Sequence, residues 1–238
     1  MTTKTLNISE EQLVDYSKAH NEPSWMTELR KKALKLTETL EMPKPDKTKL
    51  RKWDFDTFKQ HHTTGDAYTQ LTDLPKSVKE IIDVENSENL IIQHNNELAY
   101  TQVSDQAKHD GVIIEGLSEA LVNHSDLVQK YFMTKAVDVD EHRLTALHTA
   151  LVNGGIFVYV PKNTVVEHPI QYVVLHDDEQ ASFYNHVIIV TEESAEVTYV
   201  ENYLSTTSGE DNQLNIVSEV IAGANSNVTY GSDRKSVV

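Results

Sequence analysis

Residues 156–168 read IFVYVPKNTVVEH, residues 187–199 read VIIVTEESAEVTY and residues 218–230 read SEVIAGANSNVTY. The three segments start 31 residues apart. Ile156, Val158 and Val166 shift onto Val187, Ile189 and Val197, and again onto Ser218, Val220 and Val228. Each segment is a strand-like run, a polar turn and a second run; the last two share Val-Thr-Tyr at matching positions. A supersecondary unit repeated at a fixed period marks a solenoid, because one unit cannot bury its apolar side alone. Val, Ile, Tyr and Thr suit such strands, since branched and flat side chains pack on a pleated surface. The pattern favours the stacked coils of a β-helix over a sandwich.

The β-rich runs are Ile156–Val160, Val165-Val166, Ile170–Leu175, Phe183–Val190, Val197–Tyr203, Leu214–Ile221 and Val228–Tyr230. After them comes a tail, Gly231 to Val238, with no capping helix. An uncovered coil exposes backbone groups and apolar side chains. The expectation is that the chain is a fragment, or that a partner covers this end.

Upstream of Gly155 the texture is helical and mixed. Ser9-Glu10-Glu11-Gln12 is a capping box that opens a short helix ending near Asn21. Pro23 starts a second helix, whose apolar face is Met26, Leu29, Ala33, Leu36 and Leu40, with Arg30, Lys31, Lys32 and Lys35 on the other faces. Residues 43–52 form a basic, extended linker after Pro43 and Pro45. Trp53, Phe55 and Phe58 read as anchors on a neighbouring core, and adjacent His61 and His62 diverge too far to share a metal. Pro75 to Ile82 suggests a short helix, and Leu90 to Val103 a hairpin turning at Asn95-Asn96. Val112 to Ile114 is a brief strand, and residues 121–131 a helix broken near Ser125. Asp140 is expected to cap a helix carrying Leu144, Leu147, His148 and Leu151 on one face, stopped by Asn153-Gly154-Gly155. The fold class is therefore α+β. An N-terminal helical region and linker (1–60) and a mixed segment (61–155) precede β-helix coils (156–231) and a non-matching tail (232–238).

Composition is that of a globular chain: 238 residues, 39% hydrophobic and 24% charged. The N-terminus shows no signal-peptide stretch and no apolar run approaches the ~20 residues of a membrane span, so the expected location is cytoplasmic, with no membrane partner. There is no cysteine, which removes disulfides, a thiol nucleophile and thiolate ligation of a cluster by this chain. The formal net charge is −16. Residues 1–60 hold 12 Lys/Arg against 10 Asp/Glu, leaving 9 against 27 in the rest. Such an acidic body repels phosphate backbones, so nucleic acid is not an expected partner.

Catalytic constellations are missing. There is no phosphate-cradling glycine loop and no His-Glu-x-x-His. Asp138, Asp140, Glu141 and His142 read as a helix N-terminus, where carboxylates favour the dipole. Asp177-Asp178-Glu179 and Glu192-Glu193 read as solvated turns. His168, His176 and His186 are irregularly spaced and lack a cupin-type pattern, so they read as surface or packed histidines. Clustered carboxylates for a glycan-processing β-helix enzyme are also lacking. No catalytic, cofactor-binding or metal residue is assigned.

Lys130 to Gln171 reads KYFMTKAVDVDEHRLTALHTALVNGGIFVYVPKNTVVEHPIQ. Its core, Ala150 to Asn163 with Glu167, Pro169 and Ile170, resembles the SufB/SufD family of iron–sulfur cluster assembly proteins. His186 to Val190 and Val197 to Glu201 resemble the next block, and Ser218 to Ile221 with Asn227 to Tyr230 the one after. Pro23 to Met26, with Arg30, Ala33 and Leu34, is similar to the family's N-terminal helix. The helical N-terminus and absent cysteine look more like the SufD branch. The resemblance implies an N-terminal helical region, a right-handed parallel β-helix and a C-terminal helical region. It implies a non-catalytic scaffold that pairs with a SufB-like paralogue through the β-helix and binds a SufC-like ATPase. The iron–sulfur cluster would be transient in the complex, with no cofactor bound by this chain alone. Family members run to roughly twice this length, so the expected chain is C-terminally truncated and the ATPase-binding segment lies outside it. A homodimer is a further possible assembly. The competing readings are a stand-alone protein-binding adaptor and a metal-dependent or carboxylate enzyme of the β region.

Overall fold

Ser9 opens the first helix, α1 (Glu10–Ala19), by accepting the Gln12 N–H while the Gln12 side chain accepts the Ser9 N–H. The computed structural model describes residues 6–50, 53–59, 67–83, 87–178, 181–205 and 213–236. Asn21, with φ 53°, turns the chain into α2 (Ser24–Thr39), which starts after Pro23. Met26 and Ala33 are buried as the spacing predicts. Arg30 departs from that prediction: it is 2% exposed, on the inner face. Burial is possible because Glu22 takes its charge and the carbonyls of Ala150 and Val152 accept two more of its hydrogens.

Beyond Leu40 the chain runs as an irregular strap. Phe55 and Phe58 pack on the cluster formed by Leu13, Ala33, Leu147, Leu151 and Tyr184, as expected of anchors. Trp53 is not an anchor. It is 63% exposed and stacks beside Phe55, because the strap crosses the surface with Phe58, not Trp53, turned toward Tyr184. His61 and His62 lie outside the described residues.

A short α3 (Lys76–Lys79) precedes the hairpin of β1 (Asn89–His94) and β2 (Glu97–Gln102), which turns at Asn95 with φ 53°. Next come α4 (Asp105–His109), β3 (Ile113–Gly116), α5 (Leu117–Asn123) and α6 (Ser125–Tyr131), the last two separated by the break at His124. The seventh helix, α7 (Arg143–Leu151), is capped by His142 and not by Asp140: Nδ1 of His142 accepts the Thr145 N–H. Its C-cap is Val152, and the two glycines open β4 (Gly154–Val160) instead of stopping the helix. Gly155 has φ 146°, and a Cβ there would lie 2.0 Å from the His186 carbonyl oxygen.

From β4 onward the chain alternates between two sheets. The strands are β5 (Ile170–His176), β6 (Ser182–Thr191), β7 (Glu196–Ser205), β8 (Gln213–Ala222) and β9 (Asn227–Ser236). One sheet has the order β2-β1-β5-β7-β9 and the other β3-β4-β6-β8. Among the described residues, every strand pairing is parallel except those of β2 and β3, which close one end of each sheet with an antiparallel strand. The 31-residue repeat is the strand register: Ile156 pairs with Val187, Val187 with Ser218, and Val197 with Val228. The pairing of β5 with β7 departs, matching Ile170 with Tyr199, because Val165 still aligns with Glu196 and the stretch from Val166 to Pro169 then takes up two extra residues.

The turns repeat as well. Asn163, Ser194 and Asn225 all adopt positive φ, at 59°, 57° and 55°. Their backbones stack: the Asn163 N–H donates to the Glu193 carbonyl and the Ser194 N–H to the Ala224 carbonyl. Between the sheets lies a core of Ile91, Ile156, Val158, Tyr172, Val174, Val187, Ile189, Val197 and Tyr199. Outside the β3-β4-β6-β8 sheet, Phe157, Ile188 and Val190 are covered by Leu121, Val128 and Phe132. Outside the other, Leu90, Ile92 and Val173 meet Leu74, Val78 and Ile82. The fold is thus mixed α/β, with N-terminal helices on parallel sheets and no closed barrel among the described residues. Among those residues, no helix is long and apolar enough to cross a membrane.

Candidate functional site at the outer strands

β8 and β9 are the last strands of their sheets, so among the described residues their outer edges meet no further strand. Burial falls away toward them. All ten residues of β6 are buried, whereas along β8 only Glu219 is. Leu214, Val220 and Tyr230 are large apolar side chains left exposed there. An edge of this kind offers a row of backbone donors and acceptors together with an apolar strip.

Two polar groups lie directly behind that edge. The first centres on Glu201 of β7, which is fully buried. Four hydroxyls donate to its carboxylate: Tyr230 at 2.6 Å and Ser232 at 2.8 Å on Oε1, Tyr199 at 3.1 Å and Tyr203 at 3.3 Å on Oε2. Hydroxyl donors stand where a cation would ordinarily pair with a buried carboxylate. The cluster continues inward, where Asn185 donates to the Tyr203 hydroxyl and the Tyr172 hydroxyl bonds both Asn185 and Gln93. Burial first, and the bond to Glu201 next, push the Tyr230 hydroxyl up to about 12. Burial also holds Tyr172 and Tyr199 well above the usual phenol range.

The second group lies on the other sheet, on the outer face of β6 and β8. Glu219 of β8 accepts the Met133 N–H at 2.8 Å and the Val137 N–H at 3.2 Å. Its Oε2 is 2.9 Å from Nε2 of His186. Nδ1 of His186 is 2.9 Å from Nε2 of His148, and Nδ1 of His148 is 3.1 Å from Oδ1 of Asn215. His148, His186 and Glu219 are each 0% exposed. Burial, then the neighbouring His186 and the Arg30 charge, hold His148 well below the usual histidine range. These groups form a line and do not converge on a point. Among the described residues, no cluster of three or more His, Cys, Asp or Glu could hold a metal.

The other candidates from the sequence are scattered. Asp138, Asp140 and Glu141 lie beside the start of α7, and Asp138 and Glu141 are exposed there. His168 is turned toward the surface, with its carbonyl taken by Asn89. His176 is packed on Phe183. Asp177 pairs with His94 at 2.8 Å, and Asp178 is buried instead of solvated; Glu179 lies outside the described residues. Glu193 pairs with Lys162 one repeat earlier, while Glu192 accepts the Tyr131 and Tyr159 hydroxyls. Sequence reasoning missed Glu201 and Glu219. The signal for Glu219 was the repeat itself: Phe157, Ile188 and Glu219 are equivalent positions, and a carboxylate on a buried face demands a partner.

Comparison with known proteins agrees with the register. Residues 10–172 match the model of the SufBD protein N-terminal region, and residues 173–235 match the SufBD core domain of the SUF system for FeS cluster assembly. The chain is 48% identical over 228 residues to a protein of Bacillus subtilis named iron-sulfur cluster assembly protein SufD, covering 95% of this chain and 52% of that one. It is 26% identical over 233 residues to an iron-sulfur cluster assembly SufBD family protein of Staphylococcus epidermidis, covering 94% and 50%. A Mycobacterium bovis protein of the same description is 29% identical over 207 residues, covering 83% and 24%. The chain spans about half the length of the first two. With both family regions matched in order, this chain belongs to the SufB/SufD family, and within it is most like SufD.

Proposed function

We propose that this chain is a non-catalytic scaffold subunit of an iron–sulfur cluster assembly complex. Its parallel strands would wind as a right-handed parallel β-helix, one coil per 31-residue repeat. The observation that carries the reading is the 48% identity to SufD, running through both the helical region and the repeat. The molecule's chemistry is consistent with that role. Its buried His148, His186, Glu201 and Glu219 are engaged with neighbouring groups in lines and cages. Without cysteine, the chain has no thiolate to offer a cluster, and the cluster would be transient cargo of the assembly, not a resident cofactor of this subunit.

A SufB-like paralogue is the proposed partner, through the β-helix. A SufC-like ATPase is proposed as a further partner, and the assembly to be cytoplasmic. The test is co-expression of this chain with SufB-like and SufC-like chains, purified through a tag on this chain. Recovery of the SufB-like chain is the expected result. A tagged chain that folds yet never retains the SufB-like chain overturns the partner assignment.

A further inference from the structure

Four groups, Asn215, His148, His186 and Glu219, form one buried line with three gaps of 3.1, 2.9 and 2.9 Å between them. Each gap is a hydrogen-bond distance and holds one hydrogen. Glu219 already receives two backbone N–H groups and needs none of its own. With the Asn215 Oδ1 accepting, three hydrogens on the two imidazoles fill the three gaps. A fourth hydrogen has no place. It would put two N–H groups nose to nose across the 2.9 Å between His148 and His186. Loss of one hydrogen is milder, because turning the Asn215 amide over presents Nδ2 to His148 as a donor.

The line also joins separate parts of the fold. His148 is on α7, His186 on β6, Asn215 and Glu219 on β8, and Met133 and Val137 in the loop after α6. α7 is bound to α1 and α2 through Leu13, Ala33, Leu147 and Leu151, and through Arg30 on the Ala150 and Val152 carbonyls. The charged and titratable groups facing His148 are Arg30 from α2, Tyr184 and His186 from β6, and Glu219 from β8 through His186. Arg30, itself paired with Glu22, and His186 both oppose a charge on His148.

We propose that this line is an acid-sensitive latch: a fourth hydrogen breaks the His148–His186 bond and loosens the α1–α2–α7 unit from the outer face of the β3-β4-β6-β8 sheet. The inference stands on geometry, and the low proton affinity of His148 agrees with it. It is independent of the proposed scaffold role, since it concerns the chain's internal docking.

The test uses the 238-residue chain. Trp53→Phe leaves Trp25 of α2 as the sole tryptophan, its Nε1 donating to Ser125 Oγ and its ring 6.5 Å from Phe132. Between about pH 7.5 and about pH 5, Trp25 emission should shift to the red. Amide exchange in α7, corrected for its intrinsic pH dependence, should rise by up to about tenfold per pH unit as one proton is taken up on opening. Exchange in β5 should not follow. Histidine ring nitrogen shifts should show full protonation of the pair coinciding with the Trp25 change. His148→Gln, whose amide donates to His186 without titrating, should flatten both responses. If that variant fails to fold, the ring shifts of the parent chain decide the matter. Unchanged Trp25 emission and α7 exchange down to about pH 5, or an equal acid response in His148→Gln, overturns the latch.

Discussion

Arg30 and Glu22 lie side by side, with Nη2 2.5 Å from Oε1, their side chains only 3% and 5% exposed. The Arg30 guanidinium also stacks over the Tyr16 ring at 5.0 Å. Removing one partner strands the other charge in the interior. Arg30→Ala should cost about 3–5 kcal/mol in urea unfolding, and the paired change Arg30→Met with Glu22→Leu clearly less. Burial works against the Glu22 carboxylate, but Arg30 and Ser17 overcome it and hold the group below its ordinary range. A depressed carboxylate contributes stability above its unfolded value and loses it as pH falls through the folded one. The chain should therefore lose this contribution below about pH 4, and the apolar double variant should lack that acid limb.

Gly155 and Gly231 both sit in strands but answer to different constraints. A Cβ at Gly155 would lie 2.0 Å from the His186 carbonyl oxygen, where β4 and β6 pair. Gly155→Ala should destabilise by about 4 kcal/mol or more and leave little folded protein on gel filtration. At Gly231 the nearest atom to a new Cβ is Val200 Cγ2 at 3.9 Å. Gly231→Ala should be neutral or stabilising by up to about 1 kcal/mol, since alanine loses less backbone freedom on folding.

Ser194 stands between two asparagines in the stacked turns, in a backbone region that asparagine tolerates better than most residues. Ser194→Asn should leave the thermal midpoint unchanged or raised. Ser194→Val, with a branched Cβ in the same region, should cost about 1–3 kcal/mol, measured by the same melts.

The hydroxyl cage of Glu201 predicts an alkaline limb. Tyr230 is pushed up to about 12, chiefly by burial, so the folded chain holds its proton where the unfolded chain releases it. That contribution is complete below the ordinary phenol value of about 10 and is lost as pH rises through about 12. Phenolate absorbance should show several late-titrating tyrosines, one fewer in Tyr230→Phe. Glu201→Gln should cost about 2 kcal/mol or more at neutral pH, because an amide nitrogen would face hydroxyls that now donate to oxygen.

Much of the architecture was legible in the residues. The capping box at Ser9, the Asn95 turn and the break near Ser125 are local chemistry, and each stands where the chain indicates. The 31-residue spacing is the strand register itself in β4, β6 and β8. Helix ends were less readable around α7. His142 supplies the cap through its ring nitrogen, a role that Asp140, two residues earlier, fits equally well by composition. Arg30 and Trp53 were misread for one reason: polarity and ring size predict exposure only on average, and here a buried carboxylate and a surface strap reverse the expectation.

By itself, the sequence determined the family, the helices and the repeat, because these rest on short-range patterns and on a spacing that counts residues. Tertiary structure alone decided which polar groups meet. Glu201 and Tyr230 are 29 residues apart, His148 and His186 are 38 apart, and Met133 and Glu219 are 86 apart. A buried hydrogen bond depends on position to within a few tenths of an ångström, and that precision arises only when strands stack and helices close over them.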